Sequence, residues 1–137
     1  MAGWDDVRRI ALALPEATER TRRGGLAFWE VKGRGFVWER PLGPSDVRAL
    51  GQLGREIPEG PFLGARVEHL GAKEALLADD PAVFFTIPHF EGYTAVLVRL
   101  EQISLEELKE VIVEAWLSRA PKRLAATYAA EHLGAAG

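Results

Sequence analysis

The feature that most constrains the fold is a pair of apolar, β-prone runs separated by six residues. The runs cover residues 82–87 and 94–100, and the segment between them, residues 88–93, reads Pro-His-Phe-Glu-Gly-Tyr. A short connection that contains proline and glycine is typical of a hairpin between neighbouring strands. We therefore predict two antiparallel strands that are either buried on both faces or central in the sheet, joined by a loop that carries His89 and Tyr93.

Helical and extended patterns alternate along the rest of the chain. Apolar residues three and four apart, as in residues 7–14, indicate helices, whereas strict alternation indicates strands. The predicted strands cover residues 26–32, 36–40, 62–70, 82–87 and 94–100. The predicted helices cover residues 4–14, 46–53, 72–78, a segment that begins after an N-cap at Ser104, and a segment from Pro121 to a stop at Gly134. These elements predict an α+β fold, a single domain over residues 1–137 in which helices pack on an antiparallel sheet of about five strands.

Two details of this prediction concern polar and aromatic residues. Residues 16–25 are mostly polar and end in a Gly-Gly pair, so we predict a connecting loop before the sheet begins. Phe36 and Trp38 lie two residues apart in a predicted strand. Because side chains alternate along a strand, we expect these two rings on the same face of the sheet.

Composition sets the class of protein. The chain has 137 residues, of which 47% are hydrophobic and 27% are charged, a balance typical of a globular domain with its own core. It contains no cysteine, which excludes disulfides and thiolate chemistry and fits a reducing cytoplasm. The acidic start, Trp4-Asp5-Asp6, lacks the basic and apolar regions of a signal peptide, and no run reaches about 18 apolar residues. We therefore expect a cytoplasmic protein that has no membrane partner.

Charge is distributed unevenly along the chain. The net charge is −3, which argues against strong non-specific binding to nucleic acid. Residues 1–40 hold eight Lys/Arg and six Asp/Glu, and residues 118–137 hold three and one, so both ends are positive. Residues 41–117 hold six and thirteen and are acidic. Two interpretations stay open: the fold joins both ends into a basic face, or the charges are ordinary surface charges.

Several motifs, taken in order along the chain, match those of a known family. They are Val7–Pro15, Phe28, Asp80-Pro81 with Val83–Phe85, Pro88–Phe90 with Gly92-Tyr93, Val96–Leu100, Glu114–Trp116 and Ala120–Leu124. On these motifs, which extend over residues 5–125, the chain resembles the MmcQ/YjbR family of small bacterial proteins. The resemblance implies a compact α+β domain with an antiparallel sheet, a DNA-binding role and no agreed catalytic activity.

Basic residues near both ends of the chain give the first candidate site. Arg20, Arg22 and Arg23 precede a Gly-Gly pair, and arginine suits phosphate because its planar guanidinium is always charged; the alternative is a solvated loop. Lys122 and Arg123 fall in the first turn of the last predicted helix, where cations oppose the helix dipole and indicate an anion contact; the alternative is a cap on the preceding helix. The candidate surface for nucleic acid or another anion comprises Arg20, Arg22, Arg23, Arg34, Lys122 and Arg123.

The 88–93 loop gives the second candidate site. His89 offers an imidazole and Tyr93 a phenol, which suit a ligand or phosphate contact, whereas the alternative is that both only shape and pack the loop. Trp116 lies at helical spacing from Ile112, which fits a core position or a binding platform. The alternative function is therefore a small-ligand or protein-interaction module centred on residues 88–93, with His89, Tyr93 and Trp116.

No motif in the sequence indicates catalysis. His69, His89 and His132 are far apart in sequence. The chain contains no H-E-x-x-H zinc signature, no G-x-S-x-G elbow and no P-loop. We therefore expect a non-enzymatic binding protein that uses neither a cofactor nor a metal, with nucleic acid as its expected partner.

Overall fold

The computed structural model describes residues 2–132 and contains a six-stranded sheet. The strands are β1 (Ala17–Thr21), β2 (Ala27–Val31), β3 (Arg34–Glu39), β4 (Phe62–Arg66), β5 (Phe84–Phe85) and β6 (Ala95–Arg99). Their order across the sheet is β1-β2-β3-β4-β6-β5. Every pair of neighbouring strands is antiparallel, so the predicted α+β class and type of sheet are confirmed.

Five α-helices accompany the sheet within the described residues. They are α1 (Trp4–Leu12), α2 (Pro44–Gln52), α3 (Leu70–Asp79), α4 (Leu105–Arg119) and α5 (Lys122–His132). The predicted N-cap of α4 is confirmed, because the Ser104 hydroxyl accepts a hydrogen bond from the Glu107 N–H over 3.1 Å. The predicted stop at Gly134 lies outside the described residues. No helix within residues 2–132 combines the length and apolar character needed to cross a membrane.

The two faces of the sheet are covered differently. One face, which we call the helical face, packs against α1 and α4 through residues such as Ile10 and Ile112. The opposite face, which we call the open face, carries a smaller cluster that includes Trp38, Leu50 of α2 and Phe90. Phe90 belongs to a short 3₁₀ turn in the connection between β5 and β6. This turn and α2 are the main cover of the open face, and a cavity lies beside them.

The sixth strand is β1, which corrects the prediction of a loop over residues 16–25. β1 pairs with β2 along its whole length, from Ala17 opposite Val31 to Thr21 opposite Ala27. Its side chains are mostly exposed because it lies at the edge of the sheet. Backbone hydrogen bonds to one neighbour are enough to hold such a strand, so its sequence shows no apolar alternation.

Of the two interpretations of the strand in residues 82–87, the structure confirms burial on both faces and not a central position. Only Phe84 and Phe85 form a strand there, and this strand, β5, is the other edge of the sheet. Its partner β6 does lie between two strands, and the two pair antiparallel as predicted. The rings of Phe84 and Phe85 are buried by the clusters on the two faces of the sheet. An apolar run therefore indicates burial here without indicating a strand on each side.

A β-bulge at Phe36 places the Phe36 and Trp38 side chains on opposite faces of the sheet. The register between β2 and β3 shifts between Trp29 and Glu30, which leaves Phe36 as the extra residue on β3. As a result Phe36 and Val37 both pack in the helical-face core, whereas Trp38 lies on the open face. The expectation that Phe36 and Trp38 share a face is wrong, because a bulge interrupts the regular alternation of side chains.

Candidate functional site

A cavity lies on the open face of the sheet, beside the 88–93 segment. Its volume is about 500 Å³. The residues that line it are Arg22, Gly35, Trp38, Arg40, Arg66, His89, Phe90, Tyr93 and Arg119. Four of these side chains are arginines, four carry aromatic rings and none is acidic. We call this feature the arginine cavity.

Four separate elements supply the four arginines. Arg22 follows β1 and is fixed by a tight turn, in which its N–H donates to the Leu26 carbonyl oxygen over 2.7 Å. Arg40 follows β3, and Arg66 is the last residue of β4. Arg119 is the last residue of α4. The four positions are distant in sequence, so folding alone brings the four guanidinium groups together.

Aromatic rings orient two of the guanidinium groups. The Arg40 Cζ lies 5.4 Å from the centre of the Phe90 ring, and the Arg66 Cζ lies 4.7 Å from the centre of the Tyr93 ring. Phe90 and Tyr93 pack edge to face, with their ring centres 5.4 Å apart. The face of an aromatic ring attracts a guanidinium. The rings of Phe90 and Tyr93, which we call the aromatic wall, therefore stabilise the two guanidinium groups where they lie. Tyr93 remains 42% exposed, which leaves ring surface for a ligand.

Within the described residues, only one of the four arginines is neutralised by a carboxylate. The Arg40 Nη1 lies 3.1 Å from the Oδ2 of Asp46, a buried residue of α2. Burial acts to raise the pKa of Asp46, but hydrogen bonds from the Gly43 N–H and from Arg40 outweigh it and hold this pKa below its usual value. Asp46 is therefore a carboxylate and balances Arg40. Within residues 2–132 the other three arginines of the cavity form no ion pair.

Arg66 and Arg119 carry the least compensated charge. The Nε atom of each is buried and has no hydrogen-bond partner within the described part of the chain. Arg34 adds a third charge, because its Nη1 donates to the Arg119 carbonyl oxygen over 3.3 Å. Burial lowers the pKa of Arg119, and the charges of Arg66 and Arg34 lower it further. Since arginine nevertheless stays protonated, this end of the cavity concentrates positive charge that an anion would offset.

A buried lysine holds the aromatic wall from outside the cavity. Lys73 of α3 is only 5% exposed, and its Nζ donates to the carbonyl oxygens of Phe90, over 2.6 Å, and Tyr93, over 2.8 Å. Burial lowers the pKa of Lys73, while the charge of Glu91 acts in the opposite direction. Both carbonyl groups belong to residues that line the arginine cavity. Lys73 therefore fixes the backbone from which His89 and Tyr93 extend.

Trp38 lies in close contact with the backbone of β4. Gly64 is its partner across β3 and β4. A Cβ atom built on Gly64 would lie 2.4 Å from Cε2 and 2.5 Å from Nε1 of the indole, far inside van der Waals contact. The absence of a side chain at residue 64 therefore lets the indole line the cavity.

We expect Gly64→Ala to displace the Trp38 indole and to lower the free energy of unfolding by about 1–3 kcal/mol, the usual cost of overpacking. Urea denaturation of both proteins measures this difference. Gly51→Ala is the matched control, because a Cβ there meets no atom within 4 Å and the residue lies in α2. Alanine favours a helix over glycine, so Gly51→Ala should not destabilise. Equal stability of Gly64→Ala and the wild-type protein would show that the indole has room to move.

The cavity joins residues from both candidate sites. Arg22 belongs to the predicted basic surface, whereas His89 and Tyr93 belong to the predicted loop site, and all three line the arginine cavity. The Arg22 Cζ also lies 4.5 Å from the centre of the Phe28 ring. The two functions proposed from sequence therefore share one location in the fold.

Three of the other predicted basic residues lie on the surface outside the cavity. The Arg20 Nε pairs with the Glu30 Oε1 over 2.9 Å. Arg23 and Arg123 are exposed, and neither lines the arginine cavity. These residues do not join Arg22 around a common ligand volume.

The remaining predicted residues lie near α4. Arg34 and Lys122 line a separate cavity together with the acidic residues Glu68 and Glu114. Trp116 is fully buried in the helical-face core. It therefore occupies the core position that was one of its two interpretations and lies apart from His89 and Tyr93.

Sequence reasoning missed three arginines of the cavity. Arg40 and Arg66 are each a lone basic residue among apolar or acidic neighbours, whereas Arg119 comes three residues before Lys122 and was not singled out with it. A weak signal exists, because Arg40 and Arg66 each come at the end of an apolar strand. Arg99 ends β6 in the same way but does not line this cavity, so the signal does not identify the site.

Comparisons with known proteins give close relatives in sequence. A family model described as YjbR matches residues 12–118. The uncharacterized protein Rv2570 of Mycobacterium tuberculosis is 48% identical over 130 residues, which make up 95% of this chain and 98% of that protein. The uncharacterized protein Mb2600 of Mycobacterium bovis is 48% identical over the same shares of both chains.

A solved structure shares the fold. The crystal structure of Deinococcus radiodurans protein DR2400, which contains the family-model domain DUF419, aligns with a TM-score of 0.62 and 20% sequence identity. The alignment covers 85% of this chain and 78% of the other. At this level of identity the likeness supports the fold and carries no information about a ligand.

Proposed function

The chain belongs to the YjbR family, and from this membership we propose that it is a non-enzymatic binding protein whose arginine cavity holds phosphate groups of a nucleic acid or nucleotide. The observation that carries the proposal is the convergence of Arg22, Arg66 and Arg119 on one cavity, with no ion pair to any of them among residues 2–132. Guanidinium groups bind phosphate oxygens through paired hydrogen bonds and keep their charge.

Size and aromatic surface also support a nucleotide or nucleic-acid ligand. The volume of about 500 Å³ lies within the usual range of small-molecule sites, roughly 300–1,000 Å³. Tyr93 is 42% exposed and offers ring surface to the cavity, whereas Trp38 lines the cavity while only 8% exposed. Nucleobases stack on such rings while arginines follow the phosphates. The combination of both features in one cavity favours a ligand that carries both a phosphate and a planar base.

A second cavity provides an internal comparison. It measures about 610 Å³ and is lined by Glu56, Glu59 and Glu101 together with Arg99. Carboxylate groups repel phosphate, so this cavity does not suit the proposed ligand although it is larger. The charge of the lining residues, rather than volume, therefore selects the arginine cavity.

The proposal is one of binding without turnover. The nine lining residues include no serine, threonine, lysine or carboxylate. Histidine and tyrosine can also act as nucleophiles, but no carboxylate lines the cavity to activate His89 or Tyr93. His89 and Tyr93 are suited to donate hydrogen bonds to a bound anion. The proposal places the protein in the cytoplasm, where its ligands occur.

We expect Arg22→Gln to weaken binding of a fluorescently labelled single-stranded oligonucleotide about tenfold, because one charge-assisted contact is lost. Arg23→Gln is the matched control: the residue is adjacent, equally charged and exposed, but it does not line the cavity. We expect it to change the affinity by no more than about twofold. Fluorescence anisotropy at about 50 and 200 mM salt measures both, and binding should weaken as salt increases.

Two results would contradict this assignment. Equal weakening by Arg22→Gln and Arg23→Gln would place the contact on the exposed turn after β1 instead of in the cavity. Full affinity in Arg22→Gln, Arg66→Gln and Arg119→Gln alike would remove the arginine cavity as the binding site. Thermal denaturation of each variant establishes that a loss of affinity is not a loss of fold.

A further inference from the structure

We infer that the arginine cavity has a defined polarity, in which Arg66 and Arg119 hold a terminal phosphate and the rest of the ligand lies along Trp38 towards Arg40. The ligand class is then a phosphomonoester, either a free nucleotide or the phosphorylated end of a nucleic acid strand. This inference rests on the proposed function and narrows it.

Charge is distributed asymmetrically along the arginine cavity. At one end Arg40 is balanced by Asp46 at 3.1 Å. At the other end neither Arg66 nor Arg119 is in an ion pair within the described residues, and Arg34 is bonded to the Arg119 carbonyl. The group with the highest negative charge therefore belongs beside Arg66 and Arg119.

Arg66 and Arg119 offer more hydrogen-bond donors than an internal phosphodiester can use. Each guanidinium has five N–H groups, and the Nε atoms of Arg66 and Arg119 have no partner within the described residues. A phosphomonoester carries a charge of roughly −1.5 to −2 and has three strong acceptor oxygens. An internal phosphodiester carries a single negative charge and has two such oxygens, because chain atoms occupy the other two. Two adjacent, uncompensated guanidinium groups therefore suit the monoester better.

The arginine cavity is elongated along β3. Gly35 and Arg40 both line it, and they are five residues apart on and directly after β3. Phe36 is the extra residue of the bulge, so this stretch advances by about four strand residues, and at about 3.3 Å per residue the cavity follows β3 for about 13 Å. Arg66 lies at the end where β3 begins, because β3 and β4 are antiparallel. Trp38 lies between the two ends, so the rest of a ligand with its phosphate at Arg66 passes this largely buried indole.

Isothermal titration with adenosine 5′-monophosphate and 3′,5′-cyclic adenosine monophosphate tests this polarity. The two share a base and a sugar, but the first is a monoester and the second a diester. We expect the wild-type protein to prefer the monoester at least about tenfold. In Arg119→Gln the preference should fall to about twofold or less, whereas Arg22→Gln should weaken both ligands and keep the preference.

Oligonucleotides distinguish the two sources of the phosphomonoester. A strand of about 10 nucleotides with a 5′-phosphate is compared with the same strand bearing a 5′-hydroxyl, both competing against adenosine 5′-monophosphate. Tighter binding of the phosphorylated strand than of the nucleotide identifies a strand end as the ligand. Equal or tighter binding of the nucleotide identifies the free nucleotide, and both results support a terminal phosphate.

Failure of this inference and failure of the proposed function give different results. Equal affinity for the monoester and the diester, with both lost in Arg66→Gln, would overturn the polarity and leave a phosphate-binding cavity. Binding of neither compound and of neither strand, or binding unaffected by Arg66→Gln and Arg119→Gln, would overturn both. Thermal denaturation identifies any variant that fails to fold. Arg119→Lys, which keeps the charge but loses the planar fork, then replaces Arg119→Gln, and we expect it to lose a smaller part of the preference; an unchanged preference would overturn the polarity.

Discussion

Replacement of Trp116 by alanine is expected to lower the free energy of unfolding by about 3–5 kcal/mol, the usual cost of removing a large aromatic side chain from a core. Trp116 is 0% exposed. Its Nε1 donates to the Pro15 carbonyl oxygen over 3.2 Å, and its ring centre lies 5.1 Å from that of Tyr128 in α5. The indole thus connects α4 to the end of α1 and to α5. Urea denaturation, with the slope as well as the midpoint recorded, measures the loss.

If the Trp116→Ala protein does not fold, Trp116→Phe is measured in its place. It retains an aromatic ring but leaves the Pro15 carbonyl without its donor, so we expect it to lose less than Trp116→Ala. Because Trp116 does not line the arginine cavity, the folded Trp116→Phe protein should bind adenosine 5′-monophosphate as the wild type does. A large loss of affinity in a fully stable Trp116→Phe protein would instead place Trp116 in the ligand site.

Lys73→Met is expected to lower the free energy of unfolding by about 2–4 kcal/mol and to weaken ligand binding at least about tenfold. The substitution leaves the carbonyl oxygens of Phe90 and Tyr93 without their donor, at roughly 1–3 kcal/mol for each buried group. Removing a buried ammonium offsets part of this cost. Binding weakens because the aromatic wall is no longer held against the cavity. Urea denaturation and titration with adenosine 5′-monophosphate measure the two effects.

Lys109→Met provides the control for Lys73→Met. Lys109 is an exposed residue of α4. The same substitution there removes a lysine charge but leaves the carbonyl groups of Phe90 and Tyr93 with their hydrogen-bond donor. We expect it to change both quantities little. Wild-type affinity in a correctly folded Lys73→Met protein would show that the 88–93 segment holds its position without this lysine.

The pH dependence of stability gives a second readout for Lys73. Burial lowers its pKa in the folded protein below the ordinary value of 10.5. Between the lowered pKa and 10.5 the unfolded chain therefore binds a proton that the folded chain has released. Stability rises with pH wherever the unfolded state binds more protons, so the wild type should gain stability relative to Lys73→Met as the pH rises through this alkaline range.

The sequence predicts the parts of the fold that bury apolar side chains with a regular period. Residues 94–100 and the helix after Ser104 are examples, and the structure confirms β6 and α4 there. β1 was not predicted because an edge strand is specified by backbone pairing, which leaves no period in its side chains. The bulge at Phe36 was not predicted because it depends on how β2 and β3 align. Both omissions arise from pairing between strands, which a single run of residues does not encode.

The candidate site was predictable only in part. His89 and Tyr93 were identifiable because they lie together in a short loop, and Arg22 because it belongs to a basic cluster. Arg66 was not, since it is isolated in sequence. Arg119 was not, although it precedes Lys122 and Arg123, because only the packing of α4 beside β4 makes it a neighbour of Arg66. Nothing in the sequence alone separates Arg22 from Arg23, whereas the turn after β1 places only Arg22 in the cavity.

The two edges of the sheet have a consequence for the behaviour of the protein at high concentration. Unpaired strand edges recruit strands from other molecules, and charged or very short edge strands suppress this. β1 presents Glu19 and Arg20 at one edge, and β5 offers only two residues at the other. The sheet therefore gives another molecule little backbone on which to extend it. Self-association by strand addition is disfavoured at both edges.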